Sequence, residues 1–86
     1  MKLVLSPLAE KQLKKLPKIA QVAIAGKVRN LRQGNFSNTK KLAGYKNLFR
    51  TRAGNFRVVF KQSNEIIYVI ALGNRKEIYK ILEQLF

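Results

Sequence analysis

Any chemistry in this chain has to run on Arg, Lys, Tyr, hydroxyls and backbone amides, because the other usual groups are missing. There is no His, Cys, Trp or Asp, and the only carboxylates are Glu10, Glu65, Glu77 and Glu83. Without Cys there is no thiol nucleophile and no disulfide framework, and without Cys or His zinc has lost its favoured ligands. Without His, neither a Ser-His-Asp triad nor the common proton shuttle of neutral pH can be built. Four scattered carboxylates are a poor basis for a Mg²⁺ or Ca²⁺ cage, so no metal and no cofactor are expected. Positive charge, in contrast, is in excess: 18 Lys and Arg against 4 acidic residues give a net +14 over 86 residues. Such a surface is self-repelling and suits a polyanion, nucleic acid first among them. A basic face that only keeps the protein soluble is the plainer alternative.

The spacing of the arginines says more than their number. Gly54-Asn55 is a two-residue hairpin signal between strands expected at Leu48–Ala53 and Asn55–Lys61. If the loop has that length, Ala53 pairs with Phe56, Thr51 with Val58 and Phe49 with Phe60, all on one apolar side. Arg52 then faces Arg57 on the other side, with Arg50 and Lys61 nearby. Like charges directly across a sheet are destabilising by a few tenths to about 1 kcal/mol. A sequence that had only to fold would gain from a Glu or Thr at one of those sites, and a phosphate between the guanidiniums would relieve the repulsion. The competing reading is a solvated cluster whose long side chains splay apart. A different loop length would slip the register and undo the pairing.

Gly73-Asn74-Arg75 opens the last helix, where free N–H groups and the dipole favour negative charge. Arg75 and Tyr79 stand at i, i+4 and so share a face. Tyr79 lies at the edge of the apolar stripe of Ile78, Ile81, Leu82 and Leu85, either as a boundary core residue with a wet hydroxyl or as part of a site with Arg75, Arg57 and Arg52. Glu77, two residues from both Arg75 and Tyr79, is expected to point elsewhere. Phe36, Tyr45 and Tyr68 could stack on bases but are more simply packing residues. Lys40-Lys41 reads as a solvated loop pair able to touch a phosphate backbone, and Lys11, Lys14 and Lys15 as the wet face of the first helix.

The elements that must position these residues fit one small domain over residues 1–86. Lys2–Leu5 is a short strand. Ser6-Pro7 starts a helix, since Ser caps and Pro at the first position gives up no needed N–H. Ala9, Leu13 and Leu16 repeat at helical spacing until Leu16-Pro17 breaks the run. A second helix carries Ala20, Ala23, Ile24, Val28 and Leu31 on one stripe, flanked by Ile19, with Lys27 inside the apolar arc and bound to snorkel. Gln33–Gly44 reads as loop, and strands follow at Leu48–Ala53, Asn55–Lys61 and Glu65–Leu72. The expected order is β-α-α-β-β-β-α, an α+β fold with a small antiparallel sheet covered by an N-terminal helical hairpin. No run approaches the ~20 apolar residues of a membrane span. Met1-Lys2 leads straight into structured sequence with no signal peptide expected, which together with the lack of Cys suits a cytoplasmic protein.

Three stretches together carry a family resemblance: Lys41-Leu42-Ala43-Gly44, Leu48 to Phe60 (LFRTRAGNFRVVF) and Leu72 to Tyr79 (LGNRKEIY). The chain resembles the RelE/ParE toxin superfamily of type II toxin–antitoxin systems over its whole length and element order. RelE-like members are ribosome-dependent mRNA endonucleases held inactive by an acidic antitoxin. The resemblance therefore implies an mRNA interferase with the ribosome, mRNA and a cognate acidic antitoxin as partners, in a toxin–antitoxin hetero-oligomer and with no membrane. It implies catalytic roles for Arg57, Arg75 and Tyr79 and matches Arg50 and Arg52 to basic positions on the preceding strand. With Lys61, Lys40 and Lys41, read from the residues themselves, these two make the expected RNA-binding set. Attack by the 2′-OH on the adjacent phosphate, leaving a 2′,3′-cyclic phosphate and a 5′-OH, needs no metal if cationic donors hold the developing charge. Many relatives have His or Lys where this chain has Asn74, which takes no proton at neutral pH, so the general base stays open. Tyr79 could serve if neighbouring arginines lower its pKa from ~10. A ParE-like gyrase inhibitor and a member that only binds antitoxin or nucleic acid are the alternatives.

Overall fold

In a computed structural model the chain is described from Met1 to Leu85, with side chains to Gln84, so the apolar position expected at Leu85 lies outside the described side chains. The elements are β1 (Lys2–Leu5), α1 (Pro7–Lys15), α2 (Lys18–Arg32), β2 (Thr39–Lys41), β3 (Leu48–Ala53), β4 (Phe56–Ser63), β5 (Ile66–Asn74) and α3 (Arg75–Leu85). They build one five-stranded sheet in the order β1-β5-β4-β3-β2, the expected α+β class with the hairpin α1–α2 on one face. Two details differ from expectation. Thr39–Lys41, read as loop, is a short edge strand antiparallel to β3, too brief to show a period-2 pattern. β1 is parallel to β5, so the sheet is mixed; α1 and α2 carry the chain from β1 at one edge of the sheet to β2 at the other, and β5 returns to lie beside β1.

Ser6 carries the start of α1 as expected, and more. Its Oγ accepts from Ala9 N at 3.0 Å and donates to Ile70 O at 2.6 Å. Ile70 is the extra residue of a β-bulge, since Phe60 pairs with Val69 while Val59 pairs with Ala71. A bulge frees a backbone group that needs a partner, and Ser6 supplies it. The bulge also resets the phase of β5: Val69 and Leu72 join the core under the hairpin, while Ile70 and Ala71 turn to the other face.

The hairpin-side core holds Ala9, Ile24, Leu31, Val58, Phe60, Ile67, Val69 and Leu72. From the expected α2 stripe Ala20, Ile24 and Leu31 are buried, but Ala23 is exposed, and Ile19 is 86% exposed. Lys27 snorkels: its Nζ donates to the Ser37 carbonyl. On the opposite face α3 lays Ile78 and Leu82 on Val59 and Ala71. That leaves one end of this second face open to solvent, and there the arginines collect.

Candidate active site

The β3–β4 hairpin has the register inferred from Gly54-Asn55. Ala53 pairs with Phe56, Thr51 with Val58, Phe49 with Phe60 and Arg52 with Arg57. Gly54 takes φ +62 while Asn55 keeps negative φ, the type II′ arrangement that matches the twist of the flanking strands. Period-2 alternation then puts Phe49, Thr51 and Ala53 toward the hairpin core and Arg50 and Arg52 toward the α3 face. Arg57 shares the α3 face with Val59.

Arg50, Arg52, Arg57, Lys40 and Asn38 line a cavity of about 240 Å³. Lys40 arrives on β2, directly opposite Arg50, so the sheet carries two like-charge cross-strand pairs, Lys40–Arg50 and Arg52–Arg57. The second pair was legible in the sequence. The first was hidden because β2 read as loop. The guanidiniums of the second pair turn toward backbone oxygens: Arg52 Nε donates to Gly54 O at 3.2 Å and Arg57 Nη1 to Phe56 O at 3.3 Å. Asn38, a loop residue with φ 60, had no sequence signal for this cavity.

Arg50 also reaches α3. Its Nη1 donates to the Tyr79 hydroxyl at 3.0 Å, and Arg75 Nε donates to the same oxygen at 3.3 Å. The Arg75 guanidinium carbon stands 5.4 Å from the centre of the Tyr79 ring, within cation–π range. Hydrogen bonds from Arg75 and then Arg50 stabilise the phenolate and draw the Tyr79 pKa below the usual 10. Tyr79 is 40% exposed, so its oxygen is held by two cations yet open to a substrate.

Asn74 and Glu77 have a different task. Glu77 N donates to Asn74 Oδ1 at 2.8 Å, and Asn74 Nδ2 donates to Glu77 Oε1 at 2.6 Å. The two side chains satisfy each other across the first turn of α3, in the manner of a capping box. Glu77 thus turns to Asn74, as its expected orientation away from the tyrosine requires. Gly73 packs closely beside it: a Cβ there would lie 3.1 Å from Glu77 Oε2, and the carboxylate would have to shift by a few tenths of an ångström.

Of the expected site residues, the structure brings together Arg50, Arg75 and Tyr79 by hydrogen bonds, and Lys40, Arg50, Arg52 and Arg57 around one cavity. Lys41 and Lys61 stand apart. Lys41 pairs with Phe49, one residue out of phase with Lys40, and Lys61 lines a second cavity with Tyr45 and Tyr68.

Residues 3–79 match the family described as "ParE toxin of type II toxin-antitoxin system, parDE". No curated protein matches the sequence significantly. Among solved structures, the chain is similar to the RelB-RelE antitoxin-toxin complex from Methanococcus jannaschii, with 26% identity, a TM-score of 0.74 and coverage of 91% of this chain and 96% of that one. The isolated E. coli RelE toxin shares the fold at 19% identity and a TM-score of 0.74, covering 99% of this chain and 98% of that one. The archaeal RelE-RelB complex from Pyrococcus horikoshii does so at 22% identity and a TM-score of 0.74, covering 86% and 93%. With the family match spanning nearly the whole chain and the fold shared throughout, this protein belongs to the RelE/ParE toxin superfamily of type II toxin–antitoxin systems.

Proposed function

We propose that this toxin is a ribosome-dependent mRNA endonuclease working in the cytoplasm, with the centre at Tyr79 between Arg50 and Arg75. The observation that carries the reading is the pair of guanidinium hydrogen bonds to one phenolic oxygen, one of them from Arg50, which also lines the arginine cavity. A phenolate keeps three lone pairs, two for the arginines and one for the proton of the ribose 2′-OH. As that proton passes to the phenolate, the 2′-oxygen attacks phosphorus, the P–O5′ bond breaks and the departing 5′-oxygen takes a proton from solvent, so the products are a 2′,3′-cyclic phosphate and a 5′-OH. Arg57 and Arg75 supply donors to the charge that builds on the phosphoryl oxygens. Lys40, Arg50 and Arg52 hold flanking phosphates. Tyr79, once ionised, is the general base of this scheme, and Asn74 is a helix cap.

The similar Methanococcus and Pyrococcus toxins are each held in a complex with an antitoxin. By that likeness we assign this chain an acidic antitoxin partner, which a net +14 would attract electrostatically. Gyrase inhibition is the second reading, favoured by the ParE description of the matched family. Primer extension on a reporter mRNA after induction separates the two. Discrete, translation-dependent cuts in the wild type that vanish in Arg57→Ala are expected. Growth arrest with intact mRNA and an induced DNA-damage response would transfer the activity to gyrase.

A further inference from the structure

Tyr45 and Tyr68 are far apart in the chain, and the fold places them in one cavity. It measures about 560 Å³ and is lined also by Lys46, Lys61, Leu48 and Ile70. It shares no lining residue with the arginine cavity. Both lie on the α3 face of the sheet, because Leu48 shares the alternation of Arg50, and Lys61 that of Arg57. Between Arg57 and Lys61 the strand rises by about 13 Å, and the residue midway, Val59, is covered by Ile78 and Leu82 of α3. The cavity is therefore a separate place, on the far side of what α3 buries.

Its composition is unusual for a surface that had only to fold. Tyr68 is 39% exposed next to Ile66, which is 44% exposed, and Lys61 sits directly across the ladder from Tyr68. The strands that carry them, β4 and β5, are internal to the sheet. A peptide could not add to this surface as an extra strand, since their backbone edges are already paired, so recognition has to come from side chains. Those side chains offer aromatic faces, an aliphatic floor and two ammonium groups, which fits a planar aromatic ligand bearing phosphate. Stacking on aromatics tolerates every base, and lysines supply point charges to the backbone.

We infer that the cavity between Tyr45 and Tyr68 is a second RNA subsite, taking one unpaired nucleotide with its base against Tyr68 and its phosphate on Lys46 and Lys61. The inference rests on the proposal that RNA is the target but not on cleavage. A 2′-O-methyl hexanucleotide with one central 2-aminopurine tests it, because without a 2′-OH the probe is bound and never cut. Binding to the wild type is expected to quench the 2-aminopurine. Tyr68→Ala should abolish the quenching and weaken binding roughly 5- to 150-fold, the range for one lost base stack. Tyr68→Phe should keep both, since the ring and not the hydroxyl does the stacking. Lys61→Gln should flatten the salt dependence by about 0.7 in the log–log slope. Unchanged quenching and affinity in Tyr68→Ala would overturn the subsite, and so would a Tyr68→Phe variant as impaired as Tyr68→Ala. An acidic peptide that binds the wild type but not Tyr68→Ala, with no quenching of the RNA probe, would hand the cavity to a protein partner instead. Quenching in vitro without mRNA cuts in cells would sink the endonuclease proposal alone.

Discussion

Tyr79 is the residue on which the proposed chemistry turns, and its two arginines make a pH prediction with a definite sign. Hydrogen bonds from Arg75 and then Arg50 lower its pKa from 10, so the reactive phenolate becomes populated at lower pH than for a free tyrosine. The log of the cleavage rate should rise with pH and level off at a midpoint below 10. Arg75→Gln should move that midpoint upward, toward the ordinary value, and Arg50→Gln should do so less. Absorbance titration of the phenols, compared between wild type and Tyr79→Phe, reads the same ionisation without substrate. A pH–rate profile unchanged in Tyr79→Phe would remove the tyrosine from proton transfer. Arg57 has a different role in the scheme, as a donor to the phosphoryl charge. Deleting one such preorganised donor costs about 10²- to 10³-fold in rate, and Arg57→Ala should lose that much. Its fold should survive, because the side chain is only half-buried and its guanidinium bonds its neighbour's carbonyl. Wild-type rates in Arg57→Ala, measured on stalled ribosomes, would contradict the assignment.

At the scale of elements, the hairpin that carries the arginines was legible because one dipeptide fixes it. Gly54-Asn55 sets the loop length, and loop length sets which side of the sheet every side chain of β3 and β4 occupies. β2 was not legible: three residues cannot display an alternation, and only pairing with β3 makes Thr39–Lys41 a strand. The bulge at Ile70 was equally silent, since the carbonyl it frees is met by Ser6, 64 residues earlier in the chain. The convergence of Arg50 with Tyr79 depends on the approach of α3 to β3, and spacing within either element says nothing of that. Two substitutions test the devices that hold these elements. Gly54→Ala places a Cβ at φ +62, a conformation that costs an ordinary residue about 1–2 kcal/mol. Asn74→Ala removes the side-chain cap of α3, worth typically ~1 kcal/mol, and loosens the turn that presents Arg75 and Tyr79. Urea unfolding should show both losses. Asn74→Ser, which can still accept from Glu77 N, should recover most of the second; equal loss in Ser and Ala variants would mean that the cap is not what Asn74 contributes.

For the molecule as a whole, the uneven charge decides how it meets any polyanion. With 18 basic side chains and 4 carboxylates, most cations have no acidic partner within the chain, and attraction to phosphate acts over a Debye length before any contact forms. That term is general and carries no specificity. The geometric term is the set of five cations gathered at one end of the α3 face: Lys40, Arg50, Arg52 and Arg57 around the cavity and Arg75 on Tyr79. If these five neutralise phosphates of a single strand, they contribute about −3.5 to the slope of the log of the binding constant against log salt, at about 0.7 per phosphate. A 2′-O-methyl oligonucleotide measured by anisotropy between 50 and 300 mM KCl gives the slope free of cleavage. Arg52→Ala should reduce its magnitude by about 0.7 with the fold unchanged, since Arg52 is exposed. Lys15→Ala, on the wet face of α1 across the sheet, should leave the slope where it was, because diffuse charge outside the contact releases no bound counterion. Equal effects from the two substitutions would mean that the basic surface acts as an undifferentiated field. The like-charge pairs of the sheet would then be a cost of folding with no ligand to relieve it.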